Sequence, residues 1–180
     1  PSVPWQIQDY SLLIEELVNR VNIKKPIIMG HSFGGRVAIH YSSHHPIEKL
    51  ILFGSPCVRL QKSLPLSTRI LKKLKKLPGM NEFGERMKNY IGSRDYKAAS
   101  PIMRQTLVYV VNEDLSEFAK KIEEPTLLIW GEQDTEAPIE EAKILENLLY
   151  DGALIVLPGT HYAYIENLSR VVTIINNFIS

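Results

Sequence analysis

Six residues, Gly30-His31-Ser32-Phe33-Gly34-Gly35, stand between a short apolar run and a helix-like stretch. Pro26 starts the run, which continues Ile27-Ile28-Met29-Gly30 without polar alternation. Such a run fits a strand covered on both faces. Phe33 to about Ser43 reads as a helix, stopped near Pro46. A G-x-S-x-G pattern in that setting is a sharp strand-to-helix turn that lifts the serine to the sheet edge. The central residue is then strained, and Gly30 and Gly34 are expected to give it room. The helix start also directs free N–H groups at the serine, which favours developing negative charge there.

The rest of the chain repeats the strand-helix alternation. Ile7, Tyr10, Leu13, Ile14, Leu17, Val18 and Val21 recur at three- and four-residue steps, the spacing of one helical face. Lys49 to Phe53 predicts a second strand, closed by Gly54-Ser55-Pro56. Thr126 to Trp130 and Ala153 to Leu157 predict two more strands, each followed by a helix, Ile139 to Tyr150 and Leu168 to Ile179. Between Val58 and Lys121 the strand signal stops, and Leu66–Leu77, Glu82–Ile91, Ile102–Val111 and Leu115–Ile122 look helical. The expectation is an α/β fold, a doubly wound parallel sheet of about four strands with a helical lid insertion. Its parts are a first core segment over 1–57, the lid over 58–122 and a second core segment over 123–180.

Ligands on such sheets bind beyond the carboxyl ends of the strands, so residues just after strands are the candidates for chemistry. Ser32 follows the first strand. A serine hydroxyl at neutral pH needs a base to become a nucleophile. Of five histidines, His31 lies inside the turn, and His40, His44 and His45 lie behind it on the wrong side. His40 and His44, one helical turn apart, are read as surface residues rather than a metal site, since no carboxylate partner is evident. His161, in Leu157-Pro158-Gly159-Thr160-His161, follows a strand on the correct edge. An imidazole base needs its tautomer fixed by a third group. Trp130-Gly131-Glu132-Gln133-Asp134 supplies it: Asp134 stands one helix and one strand before His161. Glu132 is the competing acid, but it sits immediately at the strand end. The order is then Ser32 as nucleophile, Asp134 as orienting acid and His161 as base, with the Phe33 N–H as one oxyanion donor. The bland alternative for Ser32 is an ordinary helix-capping serine.

At these residues the chain resembles the α/β-hydrolase family, over nearly its whole length. Gly-His-Ser-Phe-Gly-Gly is similar to the nucleophile elbow of carboxylesterases and lipases, and Trp-Gly-Glu-Gln-Asp and Gly-Thr-His to the family's acid and base turns. Gly92-Ser93-Arg94-Asp95-Tyr96 and Asn112-Glu113-Asp114-Leu115 resemble the lid of uncharacterised bacterial members. The resemblance implies a serine hydrolase that cleaves a small carboxylic ester, with no metal or organic cofactor. A carbon–carbon bond hydrolase with the same triad is the rival, and a truncated, low-turnover ligand-binding homologue is the rival outside catalysis. The family's sheet begins with four further strands and a His-Gly oxyanion motif, and neither stands here. The expectation is therefore that these residues are part of a larger polypeptide or assembly, with Ile27–Gly30 as an edge strand open to pairing.

Charge adds one feature. Net charge is +1, which gives no reason to expect a nucleic-acid partner. Yet twelve basic residues against three acidic lie between Arg59 and Arg104, a +9 segment. Leu66, Ile70, Leu71, Leu74 and Leu77 stripe one face of it. A basic amphipathic helix can lie on an anionic membrane, but a lid helix covering a pocket has the same pattern and is preferred. The single cysteine, Cys57, excludes an internal disulfide, suits the cytoplasm and reads as a buried structural thiol.

Overall fold

Branched and aromatic residues without polar interruption make Lys49–Phe53 and Thr126–Gly131 strands that are buried almost throughout. In the computed structural model they form the centre of a parallel sheet. The structure describes residues 1–58 and 99–180. The helices expected over Leu66–Leu77 and Glu82–Ile91, and the basic run from Arg59 to Lys97, lie outside the described residues.

The elements follow in order. They are α1 (Ile7–Arg20), β1 (Ile27–His31), α2 (Phe33–Ser42), β2 (Lys49–Phe53), α3 (Pro101–Asn112), α4 (Ser116–Ala119), β3 (Thr126–Gly131), α5 (Ile139–Leu148), β4 (Gly152–Leu157), α6 (Ala163–Glu166) and α7 (Leu168–Ile179). The sheet runs β1-β2-β3-β4, and every neighbouring pair is parallel. Register aligns Gly30 with Leu52, Leu52 with Leu128 and Leu128 with Leu154. The strands therefore end together, and their following loops share one edge.

Side-chain alternation divides the core in two. Leu50, Leu52, Leu128 and Trp130 face one way, towards Ala38, Ile39, Ala142 and Leu145 of α2 and α5. Ile51, Phe53, Leu127 and Ile129 face the other, towards Val171, Ile174, Ile175 and Phe178 of α7. Both faces are covered by helices, which makes the sheet doubly wound, as the sequence predicts.

Two compact units emerge from the backbone. One consists of Trp5–Arg59 with Tyr109–Ser180 and contains the whole sheet; the other consists of Pro1–Pro4 with Leu60–Val108. Within the first, Arg36 ties distant loops together. Its buried guanidinium donates to the carbonyls of Pro56 and Glu113, while the Leu115 N–H donates to the Cys57 carbonyl at 3.0 Å. Burial lowers the Arg36 pKa. Cys57 is buried too, and burial pushes its thiol up to about 12, so it stays protonated.

One expectation fails in this unit. His40 is not a surface residue; it is 8% exposed. Every residue of α2 from Gly35 to Ser42 is buried, because α1 and α4 pack on the side that the polar residues mark as outward. Its ring stacks on His44 at 4.7 Å and packs against Phe118 at 4.8 Å. Among the described residues, no helix is long and apolar enough to cross a membrane.

Candidate active site

The loops after β1, β3 and β4 carry Ser32, Asp134 and His161 respectively. Ser32 sits between β1 and α2 with φ 51° and ψ −116°, a backbone conformation that an L-residue adopts only under strain. The turn is held from both sides. The Ser32 N–H donates to the Phe53 carbonyl at 2.9 Å, and the Ser32 carbonyl accepts from the Gly35 N–H at 3.1 Å. The Ser32 side chain makes no capping hydrogen bond to α2, so the capping alternative does not describe it. Phe33 opens α2, where backbone N–H groups have no helical partner.

Close packing explains the glycines of this turn, with one change from expectation. A Cβ on Gly30 would lie 2.6 Å from the Gly34 carbonyl oxygen and from the Gly35 backbone. A Cβ on Gly34, the other position expected to give room, would meet nothing within 4 Å. The constrained second glycine is Gly35, whose Cβ would fall 1.8 Å from the Ser55 Oγ. Ser55 is fully buried, and its hydroxyl donates to the Phe53 carbonyl at 3.0 Å. The helix start therefore seats on the loop after β2.

Asp134 and His161 meet at the ends of neighbouring strands. His161 Nδ1 lies 2.8 Å from Asp134 Oδ2, with side chains 4% and 0% exposed. A carboxylate accepts, so Nδ1 carries the proton in this pair and Nε2 of the neutral ring is left as an acceptor. The other carboxylate oxygen is also engaged: Oδ1 accepts from the N–H groups of Glu136 and Ala137 at 2.9 and 2.8 Å. That turn is fastened to β3 by Trp130, whose Nε1–H donates to the Ala137 carbonyl at 2.7 Å. Glu132, the competing acid, points to solvent. Glu136 places Oε2 3.7 Å from His161 Nε2, from a side chain that is 65% exposed.

Two further contributors act through contacts that the motifs do not show. Gly54, at the end of β2, lies directly against the pair: a Cβ there would be 3.0 Å from both Asp134 Oδ2 and His161 Nδ1. Its φ of 45° adds a second reason for glycine. Thr160 is the other. Its N–H and hydroxyl donate to the Glu166 carboxylate at 2.8 and 2.6 Å, closing the turn that presents His161 and lowering the Glu166 pKa.

The family model Hydrolase_4, described as serine aminopeptidase S33, matches residues 2–160. The chain belongs to this family of α/β-hydrolases. A curated relative, AB hydrolase superfamily protein YisY of Bacillus subtilis (strain 168), is 24% identical, with 97% of this chain and 75% of that one covered. Solved α/β-hydrolase structures share the fold. An esterase from Exiguobacterium antarcticum superposes with TM-score 0.72 at 21% identity, covering 100% of this chain and 76% of that one. A bromoperoxidase from Bacillus anthracis gives TM-score 0.72 at 16% identity, covering 99% and 76%. A meta-cleavage product hydrolase from Pseudomonas fluorescens IP01 gives TM-score 0.67 at 18% identity, covering 97% and 72%.

Proposed function

We propose that this α/β-hydrolase is a serine hydrolase acting on small carboxylic esters, with Ser32 as nucleophile, His161 as base and Asp134 as the residue that orients the base. The observation that carries this reading is the buried Asp134–His161 hydrogen bond on the same sheet edge as the strained Ser32 turn. The pair fixes the tautomer that a serine needs in its base.

The chemistry follows from the groups present. His161 Nε2 takes the Ser32 proton as Oγ bonds to the ester carbonyl carbon. The Phe33 N–H, at the start of α2, supports the oxyanion. The tetrahedral species collapses, the alkoxide leaves with the proton from His161, and Ser32 holds the acyl group. Water then repeats the sequence and releases the acid. Every step uses side chains and backbone of this chain, so the reading requires no metal or cofactor. An ester is preferred because the elbow is similar to that of carboxylesterases, and the Exiguobacterium antarcticum neighbour is described as an esterase. The single cysteine suits a cytoplasmic setting.

The test is hydrolysis of p-nitrophenyl butyrate by this chain and by Ser32→Ala. The expected result is turnover that falls about a thousandfold or more in the variant. Equal activity in both would overturn the assignment of Ser32. No activity in either would point instead to a ligand-binding homologue that turns over little.

A further inference from the structure

The base comes from the wrong end of the sheet. His161 follows β4, while Ser32 follows β1, and the order β1-β2-β3-β4 puts these strands at opposite edges. With strands about 4.8 Å apart, the loop that carries His161 has to lean across roughly 14 Å to reach the serine. Asp134 holds the ring from the end of β3, but that bond does not fix the backbone that carries the ring. A second anchor on that backbone, from the strand that carries the serine, would fix it.

The structure holds such an anchor. His31, the last residue of β1 and the neighbour of Ser32, places Nε2 3.1 Å from the backbone carbonyl oxygen of His161. A carbonyl only accepts, so His31 Nε2 carries the proton and donates. The His31 ring also packs at 4.7 Å from the His161 ring, 4.9 Å from Tyr164 and 5.4 Å from Tyr162. Tyr164 packs in turn on Phe53 of β2, at 4.9 Å. The loop after β4 is thus seated on the ends of β1 and β2 as well as on β3.

We propose that His31 is a positioning residue that clamps the His161 backbone and so sets the distance between the base and Ser32. The proposal rests on the reading of Ser32, Asp134 and His161 as the reacting set. It gives a role to the variable position before the nucleophile, which the motif leaves open. Burial, together with the nearby His161 charge, lowers the His31 pKa, although the His161 carbonyl opposes this. A neutral His31 ring donating through Nε2 adds no like charge beside His161.

Three variants separate the clamp from simple packing. His31→Phe keeps the aromatic contacts and loses the donor. His31→Gln restores a donor of similar reach without the ring. His31→Ala removes both. With p-nitrophenyl butyrate, His31→Phe is expected to lose about ten- to a hundredfold in kcat with KM nearly unchanged, the scale of a misplaced catalytic group. His31→Gln is expected to stay within about threefold of the parent. Full kcat in His31→Phe, or equal losses in His31→Phe and His31→Gln, would overturn the clamp.

If His31→Phe fails to fold, His31→Gln against His31→Ala makes the same comparison. A readout without turnover is the low-field proton resonance of His161 Nδ1–H. It should persist in His31→Gln and exchange-broaden in the variants without a donor; persistence in every variant would overturn the clamp. Failure of the triad reading is distinguishable, because it appears as Ser32→Ala retaining activity whatever His31 does.

Discussion

Asp134 Oδ2 and His161 Nδ1 are 2.8 Å apart, and the aspartate's second oxygen is held by two backbone N–H groups. The carboxylate therefore cannot swing away without abandoning three charge-assisted hydrogen bonds. Asp134→Asn keeps the shape. Its amide oxygen would stay on the N–H groups of Glu136 and Ala137, and its NH₂ would face Nδ1. An NH₂ donates, so His161 would carry its proton on Nε2, the nitrogen that accepts from Ser32 in the proposed mechanism. We expect kcat on a nitrophenyl ester to fall about a thousand- to ten-thousandfold, with an unchanged circular dichroism spectrum. A loss below tenfold would show that another group orients the base.

Gly54 reports on the same pair from below. Alanine there would meet Asp134 Oδ2 and His161 Nδ1 at 3.0 Å and would hold a φ of 45°. The strain costs about 1 kcal/mol, and the methyl group pushes on both partners. The expected outcome is an enzyme that folds, melts a few degrees lower and loses at least tenfold in kcat. Thermal melting and steady-state kinetics on Gly54→Ala check both parts.

The two glycines after Phe33 should respond in opposite ways. Gly35→Ala would drive its methyl group to 1.8 Å from the Ser55 hydroxyl oxygen, in a fully buried contact between α2 and the loop after β2. Overpacking of this kind costs about 1–3 kcal/mol or more. Gly34→Ala meets open space and gains helix propensity, about 1 kcal/mol at most. Urea unfolding of the two variants should place Gly35→Ala well below the parent and Gly34→Ala level with it or above.

Why the sequence misassigned Gly34 is a matter of tertiary contact. A strand-turn-helix motif announces a tight turn, but which glycine touches something depends on Ser55, which belongs to another strand's loop. His40 repeats the lesson. Helical periodicity separates apolar from polar positions, and α2 is covered all round, so its polar residues are buried with the rest. The strands were legible because fully buried parallel strands are continuous apolar runs, and all four stand within a residue of expectation. Helix ends were less so: α1, α2 and α5 stop one or two residues early, and α4 keeps only Ser116–Ala119 of its expected span. The one-turn helix α6 is too short to show a period at all. Asp134 and His161 could be found because the strand order alone puts them side by side. Gly54, Trp130 and His31 could not, since their roles exist only in the contacts that the loops make above the sheet.

The buried His40 gives the fold a dependence on acid that is separate from catalysis. Burial first, then the charges of His44, His45 and Lys121, hold its folded pKa at about 4, against 6.5 for an ordinary histidine. The unfolded chain therefore binds a proton between those values and the folded chain does not. A base with a depressed folded pKa contributes full stability above about pH 6.5 and loses it as pH falls towards 4. By pH 5 the loss from this one group is of order 2 kcal/mol, since each pH unit below about 6.5 in which only the unfolded chain binds the proton is worth about 1.4 kcal/mol. His40→Gln cannot take up the proton in either state. Urea midpoints measured at pH 7.5 and pH 5 should thus converge more in His40→Gln than in the parent, and an equal drop in both would place the acid sensitivity on other groups.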